Sequence, residues 1–283
     1  MSSEAELYEI VGEWKTKRQD RLLLEREFLR YTGWMDVVEA HVPYTKYDYF
    51  FDLLDRRKRY KGNKIIVFAG DNLNLDVFGP FFRTPTAETS DRASSMNELN
   101  TLLHLLEKAE KVYDRIIFMQ TNHDKRIYKM IQRIFQDKKQ AEEVIRWITP
   151  IKTFAEERGL KKIIHTPGIL FTVGDAVIYH WENNSTIPAS TSRKVIKGTI
   201  ARMPPNIHVI YQAHTHFQSR FAALRKLIIE TGALSDIFDY ARSDKLWGEE
   251  KTITIGYAYG EFKDGIADWN KCDYYTYEVE GFI

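Results

Sequence analysis

Short apolar runs that end abruptly on polar residues are the feature that most constrains the fold of this chain. Residues 64–69 (KIIVFA) lead directly into Gly70 and Asp71, and residues 116–119 (IIFM) lead into residues 120–124 (QTNHD). Runs of this length and composition are typical of buried strands. Ligands of open α/β sheets bind at the carboxyl ends of the strands. The sequence therefore predicts an α/β fold with a site along that edge.

Stretches with helical periodicity separate these runs. Residues 96–112 carry apolar side chains at i, i+3, i+4 and i+7 spacing, which predicts an amphipathic helix. Residues 47–60 form a second predicted helix, whose basic end (56–59, RRKR) we interpret as a solvated cap favoured by the helix dipole. Further helices are predicted at 125–158 and 192–203, and further strands at 162–165, 169–173, 176–179, 207–213, 226–230, 251–259 and 274–280.

The domain organisation follows from the same pattern. Residues 4–30 are charged and helical in periodicity, so we predict a helical N-terminal extension over residues 1–33. No flexible linker interrupts the rest, and residues 34–283 are predicted to form one domain. The chain has 283 residues, of which 43% are hydrophobic and 29% charged. A chain of this size and composition can bury a sizeable core.

Charge and cysteine content exclude several classes of protein. The 41 Lys and Arg residues balance 40 Asp and Glu residues, a net charge of +1, so no bulk field draws the protein to nucleic acid or membranes. The sole cysteine, Cys272, excludes an internal disulfide and a multi-cysteine zinc site, and we interpret it as a buried thiol. Neither a signal-peptide pattern nor a membrane-length apolar run occurs, and we expect a cytoplasmic protein without membrane partners.

Side chains with metal-binding chemistry follow several predicted strands. Glu39 and His41 lie two residues apart on a strand that Pro43 ends, so their side chains share a face. The remaining candidates stand at strand ends: Asp71, Asn122, His123, His180, His214 and His216. We interpret three other histidines as residues without a role at the site: His104 as a surface residue, His165 as a turn residue and His208 as a structural residue within the predicted strand 207–213.

Carboxylates, imidazoles and an amide oxygen form a ligand set that suits manganese, iron or zinc, with manganese favoured here. The candidates are too many for one ion. Two ions about 3.5–4 Å apart would share a carboxylate and a bridging hydroxide, and would clamp the oxygens of a phosphoryl group. Asp71 is the natural bridging residue.

The ordered series of motifs resembles the calcineurin-like metallophosphoesterases. The resemblance covers roughly residues 35 to 217 and rests on EAH at 39–41, GD at 70–71, NHD at 122–124, His180 and HTH at 214–216. The later segments ETGALSD at 230–236 and WN at 269–270 resemble prokaryotic and phage-encoded members. The family implies a four-layer α/β sandwich, in which helices flank two mixed β-sheets and a dimetal site lies at the strand ends.

The resemblance also implies roles for individual residues. It assigns one metal ion to Glu39, His41, Asp71 and His216, and a second ion to Asp71, Asn122, His180 and His214. His123 would protonate or stabilise the leaving oxygen, oriented by Asp124.

This chain departs from the family at a few positions. The family usually has aspartate where Glu39 stands and glycine where Thr121, Trp181 and Ala213 stand. A glutamate one methylene longer allows direct coordination, coordination through water, or a weakened first metal position. Asp36 is not a substitute, because it lies on the opposite strand face from His41.

Two functions from different classes follow. The first is a dimetal phosphoesterase that hydrolyses a phosphomonoester or phosphodiester through a metal-bridging hydroxide. A nucleic acid or nucleotide substrate is favoured by the resemblance to phage-type members. The second is a non-catalytic binding or scaffold protein on the same fold, in which Glu39 marks a decayed first metal site.

Overall fold

The computed structural model of the chain describes residues 27–73, 95–119, 155–166, 170–180, 204–235 and 254–277. The predicted extension falls largely outside these ranges, so the domain boundary at residue 33 stays a prediction. The described helices are α1 (Tyr47–Lys58) and α2 (Ser95–Glu110), with a 3-10 turn at Trp269–Lys271. The strands are β1 (Gly33–Val38), β2 (Lys64–Phe68), β3 (Arg115–Met119), β4 (Ile163–Thr166), β5 (Leu170–Val173), β6 (Ala176–His180), β7 (Val209–Ala213), β8 (Gln218–Ala223), β9 (Lys226–Thr231), β10 (Gly256–Lys263), β11 (Ile266–Ala267) and β12 (Asp273–Thr276).

The described strands form two mixed sheets. The first has the order β11-β10-β1-β2-β3-β4, with β12 also paired to β10. In it β1 to β4 run parallel, whereas β10 is antiparallel to β1. The second has the order β5-β6-β7-β9-β8, with β6, β7 and β9 parallel. The predicted α/β fold with two mixed sheets is confirmed.

Alternation along β2 explains how the first sheet supports two layers of core. Ile65 and Val67 belong to the cluster that also contains residues of the second sheet, such as Ile178. Ile66 and Phe68 belong to the cluster formed with α1 and α2. Since side chains alternate along a strand and both faces are buried, β2 is apolar from Ile65 to Phe68. The helices predicted at 125–158 and 192–203 lie outside the described residues, apart from residues 155–158, of which 155–157 are helical as predicted.

The parallel strands bring the carboxyl edges of the two sheets together. Strands β6 and β7 pair with His180 opposite Ala213, so both end at the same level. The carbonyl oxygen of Ala69, directly after β2, lies 3.0 Å from Nδ1 of His180 at the end of β6. The loops that follow β1, β2, β6 and β7 therefore meet at one place.

Arg57 differs from its prediction as part of a solvated cap. It is buried and donates to both carboxylate oxygens of Asp36 at 2.6 and 2.8 Å. Tyr113 Oη and Trp34 Nε1 donate to the same carboxylate at 2.7 and 3.0 Å. Burial works against the charged guanidinium, but Asp36 outweighs it and raises the pKa of Arg57. The pair therefore ties α1 to β1 through a buried ionic network.

Cys272 is a buried thiol, as predicted. Burial raises its pKa to about 11, so the thiol stays protonated near neutral pH and is a poor nucleophile. Among the described residues, no helix combines the length and apolar character that a membrane crossing requires.

Candidate metal centre

Six of the seven predicted metal ligands meet where the two sheet edges adjoin. Glu39 and His41 follow β1, and Asp71 follows β2. His180 ends β6, whereas His214 and His216 follow β7. All six are buried, with at most 7% of the residue exposed. The structure therefore places these side chains together as the sequence predicts, although metal binding by them stays a prediction.

The backbone at these residues is strained. His41, Asp71, His214 and His216 have φ values of 55°, 47°, 81° and 57°, in the left-handed region that residues with a Cβ rarely adopt. Each such residue costs about 1–3 kcal/mol and persists where the surrounding structure holds it, commonly at functional sites. The other described non-glycine residues with positive φ lie in the turns after β8 and β10: Leu224, Arg225 and Asp264. The prediction that Glu39 and His41 lie on a strand is wrong: β1 ends at Val38, and the backbone turns at His41, where φ is positive.

The first cluster centres on one oxygen of Glu39. Glu39 Oε1 lies 2.9 Å from His41 Nε2 and 3.1 Å from His216 Nε2, and the two imidazole nitrogens are 3.0 Å apart. Asp71 completes this group, whose four ligand atoms all lie within 4.8 Å of one another. One carboxylate oxygen and two imidazole nitrogens thus converge on a common point.

The second cluster centres on Asp71. Its Oδ2 lies 3.2 Å from His214 Nδ1 and 3.3 Å from His180 Nε2. His180 Nδ1 lies 3.0 Å from the Ala69 carbonyl, which can only accept, so Nδ1 carries the proton and Nε2 presents its lone pair to the cluster. Such a hydrogen bond to the far nitrogen is the usual way in which proteins orient a metal-binding histidine. Glu39 completes the group, again within 4.8 Å.

Glu39 is held as a carboxylate. Burial disfavours its charged form, but the His216 and His41 imidazoles outweigh burial and hold the pKa of Glu39 well below its usual range. The backbone N–H of His214 also donates to its Oε2 at 2.8 Å. A negative charge is therefore kept inside the protein at this site.

Several residues close in sequence to the candidate ligands, or to a residue bonded to one of them, carry a buried polar oxygen without a hydrogen-bond partner. Within the described part of the chain these atoms are Asn72 Oδ1, Gln212 Oε1, Thr215 Oγ1 and Ser235 Oγ. Three of them lie one or two residues from Asp71 or His214, and the neighbour of the fourth, Leu234, donates its N–H to the Glu39 carbonyl at 2.8 Å. Buried polar atoms are normally satisfied by protein, water or ligand. These unpaired amide and hydroxyl oxygens are compatible with a hydrated ion or a polar ligand at the site.

Three predicted site residues lie outside the described residues: Asn122, His123 and Asp124. Their roles stay predictions. Of the other histidines, His104 is exposed, as predicted. The prediction that His208 lies within a strand is wrong, because β7 begins at Val209; His208 is exposed and pairs with Asp175 at 3.1 Å. His165 was predicted to lie in a turn, which is wrong, because it lies within β4 and stacks on Phe118.

Asn72 contributes to the site but was missed by sequence reasoning. Its Nδ2 donates to the Met119 carbonyl at the end of β3, at 3.1 Å. Its own carbonyl accepts from the Val42 N–H at 2.9 Å, beside the bond from the His41 N–H to the Asp71 carbonyl at 3.0 Å. Asn72 therefore joins the loops after β1, β2 and β3. The only sequence signal was an asparagine next to Gly-Asp.

We expect Asn72→Ala to lower the free energy of unfolding by about 1–3 kcal/mol, because it leaves the Met119 carbonyl buried without its donor. Urea denaturation measures this loss. Asn63→Ala is a matched control, since Asn63 Nδ2 donates to the Thr32 carbonyl at the same 3.1 Å but at the surface. That variant should change stability by about 0.5 kcal/mol or less. Equal losses in the two variants would contradict the linking role of Asn72.

The fold and the cluster together define an α/β protein whose adjoining sheet edges carry buried carboxylates and histidines able to bind metal. Two carboxylates and four imidazoles are a chemically suitable donor set for manganese, iron or zinc.

Comparisons with known proteins show only distant structural similarity. No protein-family profile and no curated protein matches the chain. An archaeal phosphodiesterase is 12% identical with a TM-score of 0.40, over 86% of this chain and 98% of that chain. A conserved Streptococcus pneumoniae protein, described as a predicted phosphoesterase, is 10% identical with a TM-score of 0.35, over 87% and 99%. Vps29 from Entamoeba histolytica, complexed with zinc, is 10% identical with a TM-score of 0.39, over 86% and 98%. Likenesses at this level assign neither a family nor an activity to the chain.

Proposed function

We propose that this chain is a metal-dependent phosphoesterase that hydrolyses a phosphomonoester or a phosphodiester with water as the nucleophile. The observation that carries the proposal is the pair of overlapping buried clusters, which share Glu39 and Asp71. Structural ion pairs use one carboxylate and one cation, whereas here two carboxylates meet four imidazoles. Such a set is difficult to explain without cations between its members. The proposal includes two ions, with manganese favoured.

The residues of the chain divide into holding and proton-transferring groups. When bound, divalent ions would lower the pKa of a water molecule and neutralise charge on the phosphoryl oxygens. Asp71 would hold both ions, and the Ala69 carbonyl would keep His180 in the tautomer that binds. His123, oriented by Asp124, would supply a proton to the leaving oxygen, and Asn122 would complete the second position.

The substrate is proposed only to the level of its class. A nucleic acid or nucleotide is favoured by the resemblance to phage-type members of the family. The net charge of +1 speaks against a long groove that tracks a duplex, so a short strand or a nucleotide fits better.

The test is hydrolysis of an aryl phosphomonoester and an aryl phosphodiester by protein stripped of metal with a chelator. We expect turnover of at least one ester to rise by about tenfold or more when manganese is added. Calcium is the control of equal charge. It prefers six to eight oxygen ligands and should not restore turnover at a histidine-rich site.

Two other outcomes would contradict the proposal. Equal turnover with and without manganese would overturn the proposal. Bound manganese without turnover of either ester would also overturn it in this form and favour a binding protein on the same fold.

A further inference from the structure

Glu39 belongs to both clusters, which is more than its sequence motif suggests. One group of candidate ligands contains Glu39 with His41 and His216, and the other contains it with His180 and His214, while Asp71 is common to both. The resemblance to known phosphoesterases assigns this position to the first metal ion alone. The geometry of this chain therefore differs from that expectation.

The two oxygens of the Glu39 carboxylate have different neighbours. Oε1 lies 2.9 Å from His41 Nε2 and 3.1 Å from His216 Nε2, both in the first cluster. Oε2 accepts the backbone N–H of His214 at 2.8 Å and so lies against the loop that supplies a ligand to the second cluster. A carboxylate oxygen has two lone pairs, so this hydrogen bond leaves Oε2 able to bind a cation.

A hydrogen bond also fixes the backbone of Glu39. Its carbonyl accepts the Leu234 N–H at 2.8 Å, and the residue is fully buried. The side chain is buried as well, and one of its oxygens lies within 4.8 Å of the ligand atoms of each cluster. A glutamate held in this way is placed to contact both metal positions.

We infer that Glu39 is a second shared carboxylate, which serves both metal positions together with Asp71. This inference rests on the proposed metal binding at the site. The inference has a direct consequence. The metal position formed by His180 and His214 should bind its ion less tightly without Glu39, although the Glu39–His41 motif supplies ligands to the first metal position.

The test is a set of manganese titrations by calorimetry in two backgrounds, each of which leaves one metal position intact. His41→Ala with His216→Ala disables the first position, and His180→Ala with His214→Ala disables the second. We expect Glu39→Gln to weaken the remaining manganese site by about tenfold or more in each background, as loss of a ligand weakens a metal site at least as much as loss of its outer partner. A change in one background alone would overturn the inference.

The Glu39→Asp variant distinguishes direct metal coordination by residue 39 from a long-range effect of its negative charge. It keeps the negative charge but is too short to reach both positions, so we expect it to weaken manganese binding in one of the two backgrounds. If the effect of Glu39→Gln were only long-range electrostatics, Glu39→Asp would leave both affinities unchanged, and that result would also overturn the inference.

Two further controls separate failure of this inference from failure of the proposed function. Glu230→Gln makes the same chemical change at a buried glutamate outside both clusters and should leave both affinities unchanged. Circular dichroism of each variant verifies its fold, and Glu39→Asp serves where Glu39→Gln does not fold. Absence of manganese binding by the unsubstituted chain would overturn the proposed metal site itself, together with the role of Glu39 in it.

Discussion

Replacement of Asp71 by asparagine is expected to abolish manganese-dependent ester hydrolysis, with turnover reduced by at least about 100-fold. Asp71 lies in both clusters, and its Oδ2 is within 3.3 Å of His180 Nε2 and His214 Nδ1. Asparagine keeps the shape of the side chain but removes the charge that would hold both ions. Steady-state rates with an aryl phosphoester, at saturating manganese, measure the loss.

Asp175→Asn is the matched control for this change. Asp175 is also buried, but it accepts bonds from the Ala267 N–H and pairs with His208 away from the clusters. Its substitution should leave turnover close to that of the unsubstituted protein. If Asp71→Asn retained full turnover, Asp71 would not hold the catalytic ions.

Replacement of Arg57 by methionine is expected to lower the free energy of unfolding by about 3–5 kcal/mol, because it leaves the Asp36 charge buried without its cation. The Tyr113 and Trp34 donors remain, but neither carries a charge. The expected loss is a large part of the stability of an ordinary domain. Urea denaturation followed by fluorescence measures it.

Arg56, next to Arg57 in the chain, provides the control for this substitution. Arg56 pairs with Asp52 at 2.6 Å, but both side chains are exposed, so Arg56→Met should cost about 0–1 kcal/mol. The double variant Asp36→Asn with Arg57→Met should recover part of the loss, since it removes the stranded charge. Equal losses for Arg56→Met and Arg57→Met would contradict the account of the buried pair.

The parts of the fold that were predicted best are those buried on both faces. After their first residues, strands β2 and β3 are continuous apolar runs. Their sequences are apolar because one face of each strand packs on the helices and the other face packs on the second sheet. The position of Asp71 after β2 and of His180 at the end of β6 placed each at the carboxyl edge of its own sheet. That the two edges adjoin could not be predicted from the strands, because β2 and β6 lie in different sheets. The wider grouping of six ligands depended on the motif order.

Other parts of the structure carry no clear signal in the sequence. Strand β8 was missed because it is an edge strand, with partly exposed and exposed residues in place of an apolar run. The left-handed backbone at His41 carries no sequence signal, because histidine adopts it more often than most residues but still rarely. In the structure this backbone is held by the bond from the His41 N–H to the Asp71 carbonyl and by the bond from the Tyr44 N–H to the His41 carbonyl. Arg57 lies in a run of basic residues, and only the distant Asp36 distinguishes it from its exposed neighbours.

The most direct test of the central claim is the metal content of the purified protein after saturation with manganese and removal of free ion, measured by inductively coupled plasma mass spectrometry. The account predicts about two manganese ions per chain, and fewer after Asp71→Asn. A chain that binds none, while its circular dichroism shows it folded, would contradict the account.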